Sequence, residues 1–417
     1  MTVPAHEATA ADRPVLLVVG SGFRPYREYI MRSLRDHYRL WLLDGREATW
    51  QLSYAEGATQ VDTGAPEAVR DAARAVAARL PVAGVFTYDE SQVVFCARLA
   101  EDLGLPGSPA ATIEACRDKA ATRSTLAAAG VPQPASRVVE SARQARDVAD
   151  EIGYPVVVKA RGLAGSFGVV RADDAEAVAA AFAAADGAQF PGMPRRESGN
   201  VLVEEFLAGP EFSVDAVVFE GEVLPTVFAR KHLSAAPYFE EIGHDVSAGD
   251  ALLSDEEVLG QLRTIHRVLG FRYGATHTEF RLTAAGPRLI EVNARLGGDF
   301  IPYLGHLATG VDPVLAAAHV AVGKRPDVTP SRQAVAAVRF LYPPGRCEAV
   351  DVVVYEERFG ATIYETGVTA VPGQRLALPP DAYMSRYGHV IAVGDDLEQV
   401  TADLAVAHEL VELVAKP

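Results

Sequence analysis

An α/β fold is what the sequence predicts, and three observations predict it. Val15–Val19 is an unbroken aliphatic run stopped by Gly20-Ser21-Gly22, the pattern of a buried parallel strand that enters a loop and then a helix. The run Leu40-Trp41-Leu42-Leu43-Asp44, the helical AVRDAARAVAARL of 68–80 and the strand Gly84-Val85-Phe86-Thr87 continue the alternation of strand with helix. Finally, 417 residues, at roughly 150 per domain, imply two or three packed units. The pattern changes near Lys119 and again near 205, which divides the chain into 12–112, a small α+β module over 113–205, and 206–417.

Composition excludes several classes. Hydrophobic residues at 49% and charged residues at 23% are ordinary globular usage, so disorder, collagen and coiled coil are excluded as global descriptions. A net charge of −16 repels phosphate backbones, so neither nucleic acid nor an anionic membrane is the expected partner. Cys96, Cys116 and Cys347 are isolated and match no metal or disulfide spacing, which fits a reducing cytoplasm. Residues 1–13 lack a basic start and apolar run and read as a mobile tail rather than a signal peptide. No aliphatic run approaches the roughly 20 residues of a membrane span.

In the central module a helix from Lys119 through Leu126, a stop at Gly130–Pro134, a helix over 141–152 and the strand Pro155–Lys159 precede a glycine-rich stretch, Gly162–Gly168. Residues 187–200 combine glycine, proline and charge without periodicity and read as a loop. Strands follow at 212–219, 223–228, 276–282 and 288–293. At the end, Leu397, Val400, Leu404, Ala407, Val411 and Val414 are spaced as one face of a terminal amphipathic helix.

Two stretches carry chemistry. Gly162–Gly168 lies between strands and lacks the GxxxxGK[ST] of a P-loop, so it reads as a hairpin cover whose backbone N–H groups, at Gly165 among others, approach phosphate, with the Ser166 hydroxyl and the Lys159 ammonium beside them. An ordinary hairpin is the competing reading. Gly20-Ser21-Gly22 is read as a plain strand–helix turn, because Phe23, Arg24 and Pro25 stand where a dinucleotide fingerprint needs helix and a third glycine. The second stretch is 276–299, THTEFRLTAAGPRLIEVNARLGGD. A hairpin centred near 285 sets Glu279 opposite Glu291, at about 5 Å, with Asn293 two residues further along the same face. Opposed carboxylates destabilise a sheet unless a cation sits between them, and this trio offers hard oxygen ligands suited to Mg²⁺; a solvated edge hairpin is the alternative. Arg295 can brace a transferring phosphoryl group, and backbone N–H groups at Gly297 and Gly298 can hold an oxyanion.

These residues, in this order, resemble the ATP-grasp superfamily and, within it, the carboxylate–amine ligases that include L-amino-acid ligases and carnosine synthase. The resemblance covers about 84–305 and rests most on a glutamate in one strand followed by Glu-x-Asn-x-Arg in the next. It implies three domains: an N-terminal parallel-sheet domain, a central lid and a mixed-sheet C-terminal domain, with ATP clamped between the last two. It implies phosphate contacts from Lys119 and Lys159, an adenine hinge at Val203–Leu207 in which Glu204 accepts from the adenine amino group and the backbone of Phe206 and Leu207 completes the pattern, and ribose binding by Glu211. Lys231 would reach the γ-phosphate. Glu279, Glu291 and Asn293 would hold two Mg²⁺, with Mn²⁺ as a substitute, and Arg295 the acyl phosphate.

For the substrate, His277 precedes Glu279 by two and so shares its face. Glu90 stands where related ligases hold a substrate ammonium, although a glutamate after a strand is equally read as a helix-capping residue. Glu241 and His244 resemble a loop lining the site, and Arg346 and Arg386 belong to regions that would close the pocket. The expected activity is amide or peptide bond formation through an acyl phosphate, with small-molecule carboxylate and amine substrates, release of ADP and phosphate, and a cytoplasmic, homodimeric protein. Loading of an amino acid onto a carrier-protein thiol and a regulatory nucleotide-binding module without turnover are the rival readings.

Overall fold

The computed structural model describes residues 13–190 and 198–416. Residues 1–12 of the expected tail and the centre of the expected loop, 191–197, lie outside the described residues. The first sheet contains β1 (Val15–Val19), β2 (Arg39–Asp44), β3 (Gly57–Gln60) and β4 (Val82–Phe86), in the order β3-β2-β1-β4 and parallel at every pairing. All five residues of β1 are buried, as an aliphatic run between two helical layers requires.

A second sheet is formed by β5 (Ser136–Val139), β6 (Val156–Ala160), β7 (Val169–Ala172) and β8 (Val201–Glu205), in the order β5-β8-β6-β7 and antiparallel throughout. The glycine-rich stretch connects β6 to β7. Two helices, Ala142–Ile152 and Ala175–Gly187, cover one face through Ala145, Ala149, Val178 and Ala181.

The remaining strands are β9 (Glu211–Phe219), β10 (Glu222–Leu233), β11 (Glu241–Ser247), β12 (Tyr273–Thr283), β13 (Gly286–Asn293), β14 (Val335–Leu341), β15 (Cys347–Val354), β16 (Ile363–Val368), β17 (Arg375–Leu376), β18 (Gly388–Gly394) and β19 (Val411–Lys416). Eight of them make one sheet, β13-β12-β9-β10-β11-β14-β18-β16, while β17-β15-β19 form a small third layer. Alternation gives the large sheet two unlike faces at its β13–β10 end. Phe212, Val214, Phe228, Phe280, Leu289 and Val292 point to the helix Glu256–Leu269, which is capped by Asp255 and ended by Gly270 at φ +82°. Glu211, Asp215, Lys231, His277, Glu279, Glu291 and Asn293 belong to the opposite face. Helices Ile301–Thr309 and Pro313–Ala321 join the first and large sheets in one core.

The C-terminal expectation is corrected. The amphipathic helix stops at Glu409, and Val411 and Val414 lie in β19, paired with Val354 and Asp351 of β15. The spacing of six apolar residues mimicked a helix across this junction, but backbone pairing with β15 decides Val411–Lys416.

Candidate active site

The carboxylate hairpin forms through a device that spacing arithmetic did not contain. Its turn is two residues, Ala284 and Ala285, so Thr283 pairs with Gly286 and Phe280 with Leu289. Continued regularly, that register would put Glu279 opposite Ile290, with Glu291 and Asn293 on the wrong face. A β-bulge between Glu279 and Phe280 absorbs one residue of β13 and restores Glu279 opposite Glu291 and His277 opposite Asn293. All four side chains therefore share a face.

Each carboxylate has its own cation. Lys119 Nζ is 3.0 Å from Glu291 Oε1 and also donates to the Leu163 carbonyl of the glycine-rich loop. Lys231, almost fully enclosed in β10, lies 2.7 Å from Glu241, 3.2 Å from Glu279 and 3.3 Å from Glu211. Burial opposes its charge, yet Glu241, Glu279 and Glu211 hold the ammonium well above the usual lysine value. Glu279, in turn, would be raised by burial but is kept well below the usual range by Lys231 and His277. His277 Nε2 is 3.1 Å from Glu279 Oε1 and Nδ1 is 2.6 Å from Asp215 Oδ1; against the effect of burial, Asp215 and Glu279 push its imidazole up to about 9.

The expected nucleotide residues surround this face from the second sheet. Lys159 is buried at 2.5 Å from Glu204 Oε2; burial lowers its pKa while Glu204 pulls it upward. Glu204 also receives Arg123 at 2.8 and 3.2 Å. Burial would raise that carboxyl, but Arg123 and Lys159 bring it to about 2. Glu204 is thus the counter-ion that holds two cations in place, in contrast to the free acceptor expected at the hinge. The Phe206 ring lies between Arg171, at 4.4 Å, and Arg281, at 5.2 Å, and the Leu207 carbonyl accepts from Arg281. Glu211 binds Arg281 as well as Lys231. Gly165 and Ser166 occupy left-handed backbone at φ 68° and 60°.

Arg295 Nε donates to Glu90 Oε2 at 2.6 Å, while Arg117 Nε is 3.2 Å from Glu90 Oε1. Both oxygens of Glu90 therefore have guanidinium partners, contrary to an open ammonium site. Nor does Glu90 cap the next helix; Asp89 accepts from Ser91 at that turn. The Gly297 N–H donates to Asp215 Oδ2 at 2.9 Å and is not a free oxyanion donor, whereas Gly298 borders open space.

Arg386, but not Arg346, belongs to the site. Arg346 is an exposed partner of Asp381, while Arg386 is buried, bonds Asp299 at 2.8 and 2.7 Å and lies 3.6 Å from the Phe340 ring centre. From Asp299 the charges continue through His244, at 4.0 Å, to Glu241, 3.1 Å further on, and so to Lys231. Glu241, His244 and Asp299 bring ligand atoms within 4.8 Å of one another, but Lys231 and Arg386 already match the two carboxylates, so the trio is part of an ion chain. Asp215, Arg117, Arg123 and Asp299 were not anticipated. Asp215 had a readable signal, an acid in the middle of the apolar run Phe212–Phe219; the others become visible only as contacts.

A parallel α/β unit, a small antiparallel cover with a glycine loop, and a large sheet bearing paired carboxylates together define a class of ATP-dependent ligases. Residues 152–302 match the family model described as ATP-grasp domain, and residues 42–107 match the one described as ATP-grasp N-terminal domain. The chain is 28% identical to the uncharacterized protein y4rH of Sinorhizobium fredii over 99% of its own length and 86% of that protein's. It is 30% identical to human carnosine synthase 1 over 59% of its length, a match spanning 31% of that larger protein. An L-amino acid ligase from Bacillus licheniformis superposes with a TM-score of 0.80 at 22% identity, over 97% of this chain and 99% of that one. The chain belongs to the ATP-grasp superfamily and is an ATP-grasp ligase, and enzymes of this superfamily use ATP and Mg²⁺.

Proposed function

We propose that the protein is an ATP-dependent carboxylate–amine ligase that activates the carboxylate of an amino acid as an acyl phosphate and joins it to an amine, forming ADP and phosphate. The observation that carries this reading is the single face bearing Glu279, Glu291 and Asn293, with Lys119, Lys231 and His277 against its carboxylates and Arg295 two residues beyond. The carnosine synthase and L-amino acid ligase among its relatives support the substrate class.

The donor set fits Mg²⁺: two carboxylates and an amide oxygen, all hard oxygen donors on one face. Bound there, two Mg²⁺ would supply Lewis-acid neutralisation of the phosphate charge, and Mn²⁺ would serve in their place. Lys119, Lys159 and Lys231 bind the phosphates, Glu211 the ribose, and the Phe206–Leu207 backbone the adenine. The loop carrying Gly165 and Ser166 excludes water from the intermediate. Arg295, oriented by Glu90, braces the acyl phosphate, and Gly298 leaves room for the substrate. With the chain divided into 12–112, 113–205 and 206–417, this centre would lie between the second and third units, and the three free cysteines fit a cytoplasmic protein.

A screen of amino-acid pairs with ATP and Mg²⁺ tests the reading by product analysis. ADP and phosphate are expected in step with amide formation. AMP and pyrophosphate with the productive pair would sink the acyl-phosphate route.

A further inference from the structure

Asp215 lies in the middle of β9, beside His277 of β12, and is completely buried. Its two oxygens serve two different segments: Oδ1 is 2.6 Å from His277 Nδ1, and Oδ2 accepts the Gly297 N–H at 2.9 Å. The first segment carries Glu279 two residues later; the second carries Arg295 two residues earlier. A Cβ on Gly297 would stand 2.9 Å from His277 Nδ1 and 3.0 Å from Asp215 Oδ1, so this close approach requires glycine.

A buried charged pair is a poor source of stability, because an apolar pair of similar volume avoids the cost of desolvation. Val217, two residues further along the same face of the strand, is apolar and fully buried, and shows what the core would otherwise accept. What the carboxylate adds is geometry. It fixes the imidazole so that Nε2 faces Glu279, and it draws the Arg295–Gly298 turn against the sheet at one register. Along the chain the hairpin and the turn are joined through Ala294, and Asp215 adds a second tie from β9.

We propose that Asp215 is a positioning residue for acyl transfer: it sets the distance between the carboxylate hairpin and the Arg295–Gly298 turn and orients His277 between them. The proposal rests on the ligase reading given above. Misplacement of reacting groups by about 1 Å costs on the order of 100-fold in rate, so the loss belongs in kcat rather than in nucleotide binding.

The test uses Asp215→Asn in the full chain, which preserves size but replaces one acceptor oxygen with an NH₂ group. Two readouts apply. Proton NMR of histidine-labelled apo protein is expected to show a strongly downfield His277 Nδ1–H resonance in the wild type that shifts or disappears in the variant. Kinetics are expected to show kcat for ADP formation down about 100-fold, with KM for ATP and the affinity for Mg²⁺ and a non-hydrolysable ATP analogue within about twofold. Gly297→Ala, which wedges the same contact from the other side, is expected to lose kcat in the same way and replaces Asp215→Asn should that variant fail to fold. An unchanged kcat in a folded variant overturns the proposal, and so does a His277 resonance indifferent to Asp215. A wild type that forms no ADP with any amino acid sinks the ligase reading instead; the imidazole resonance then still decides whether Asp215 holds His277.

Discussion

At the scale of single residues, the site is a set of buried charges in which both expected carboxylate ligands already have partners. Glu279 and Glu291 face each other across the hairpin, an arrangement that should be destabilising. Lys231 with His277 on one carboxylate and Lys119 on the other remove the repulsion. This changes what a charge-neutral substitution should do. Glu291→Gln is expected to abolish Mg²⁺-dependent ligation. The apo protein should lose roughly 1–3 kcal/mol of stability, because the buried Lys119 ammonium loses its carboxylate partner and keeps the Leu163 carbonyl, and there is no repulsion to relieve. Denaturant unfolding and turnover of the same preparation check both halves; full activity would mean that the carboxylate pair is structural only.

At the scale of elements, each site residue depends on how its strand or helix begins and ends. The helix Lys119–Ala128 carries Lys119 and Arg123, and Asp118 caps it by accepting from Ala120 and Ala121 at 3.1 and 3.3 Å. The same carboxylate binds Arg161 at 2.6 and 2.7 Å, tying the helix to the end of β6 just before the glycine loop. Asp118→Ala removes a cap worth about 1 kcal/mol together with a charge-assisted pair. The expected outcome is a loss of roughly 2–3 kcal/mol of stability and a weaker affinity for ATP, since Lys119 is the first helical residue. Asp255→Ala removes an equivalent cap from the helix Glu256–Leu269, behind the sheet, and should cost about 1 kcal/mol with nucleotide affinity unchanged. Calorimetric titration of both variants separates the two effects.

For the whole molecule, the glycine loop and the C-terminal region meet over the site. The Phe167 ring packs 5.1 Å from both Phe190 and Tyr383, and Gly165 abuts Met384. Met384 and Ser166 both adopt left-handed backbone, as do Asp299 and Phe300 beyond Gly298; such conformations persist where surrounding packing imposes them. Arg386, two residues after Met384, is clamped to Asp299, so the segment that receives the loop is also fixed to the residue that follows the Arg295–Gly298 turn. Phe167→Ala removes aromatic contacts worth about 1–2 kcal/mol, enough to shift the closed loop toward open by roughly 5–30-fold. ADP formed per amide formed should then rise well above one as water reaches the intermediate. A ratio that stays at one would show that closure does not depend on this contact.

Local signals in the sequence determined the strand–helix alternation, the glycine hairpin between β6 and β7 and the family, because periodicity, glycine placement and ordered motifs are properties of neighbouring residues. Tertiary structure alone decided the rest. A bulge at Ile290, rather than a symmetric turn, brings the two carboxylates into register. β15 converts Val411–Lys416 from the end of a helix into a strand. The partners of Glu90, Glu204 and Gly297 are Arg117 with Arg295, Arg123 with Lys159, and Asp215, groups up to 205 residues away along the chain. A motif reports which side chains are available for chemistry. Which of them are already bound to one another depends on how sheets stack and charges find counter-charges once buried, and no local pattern encodes that.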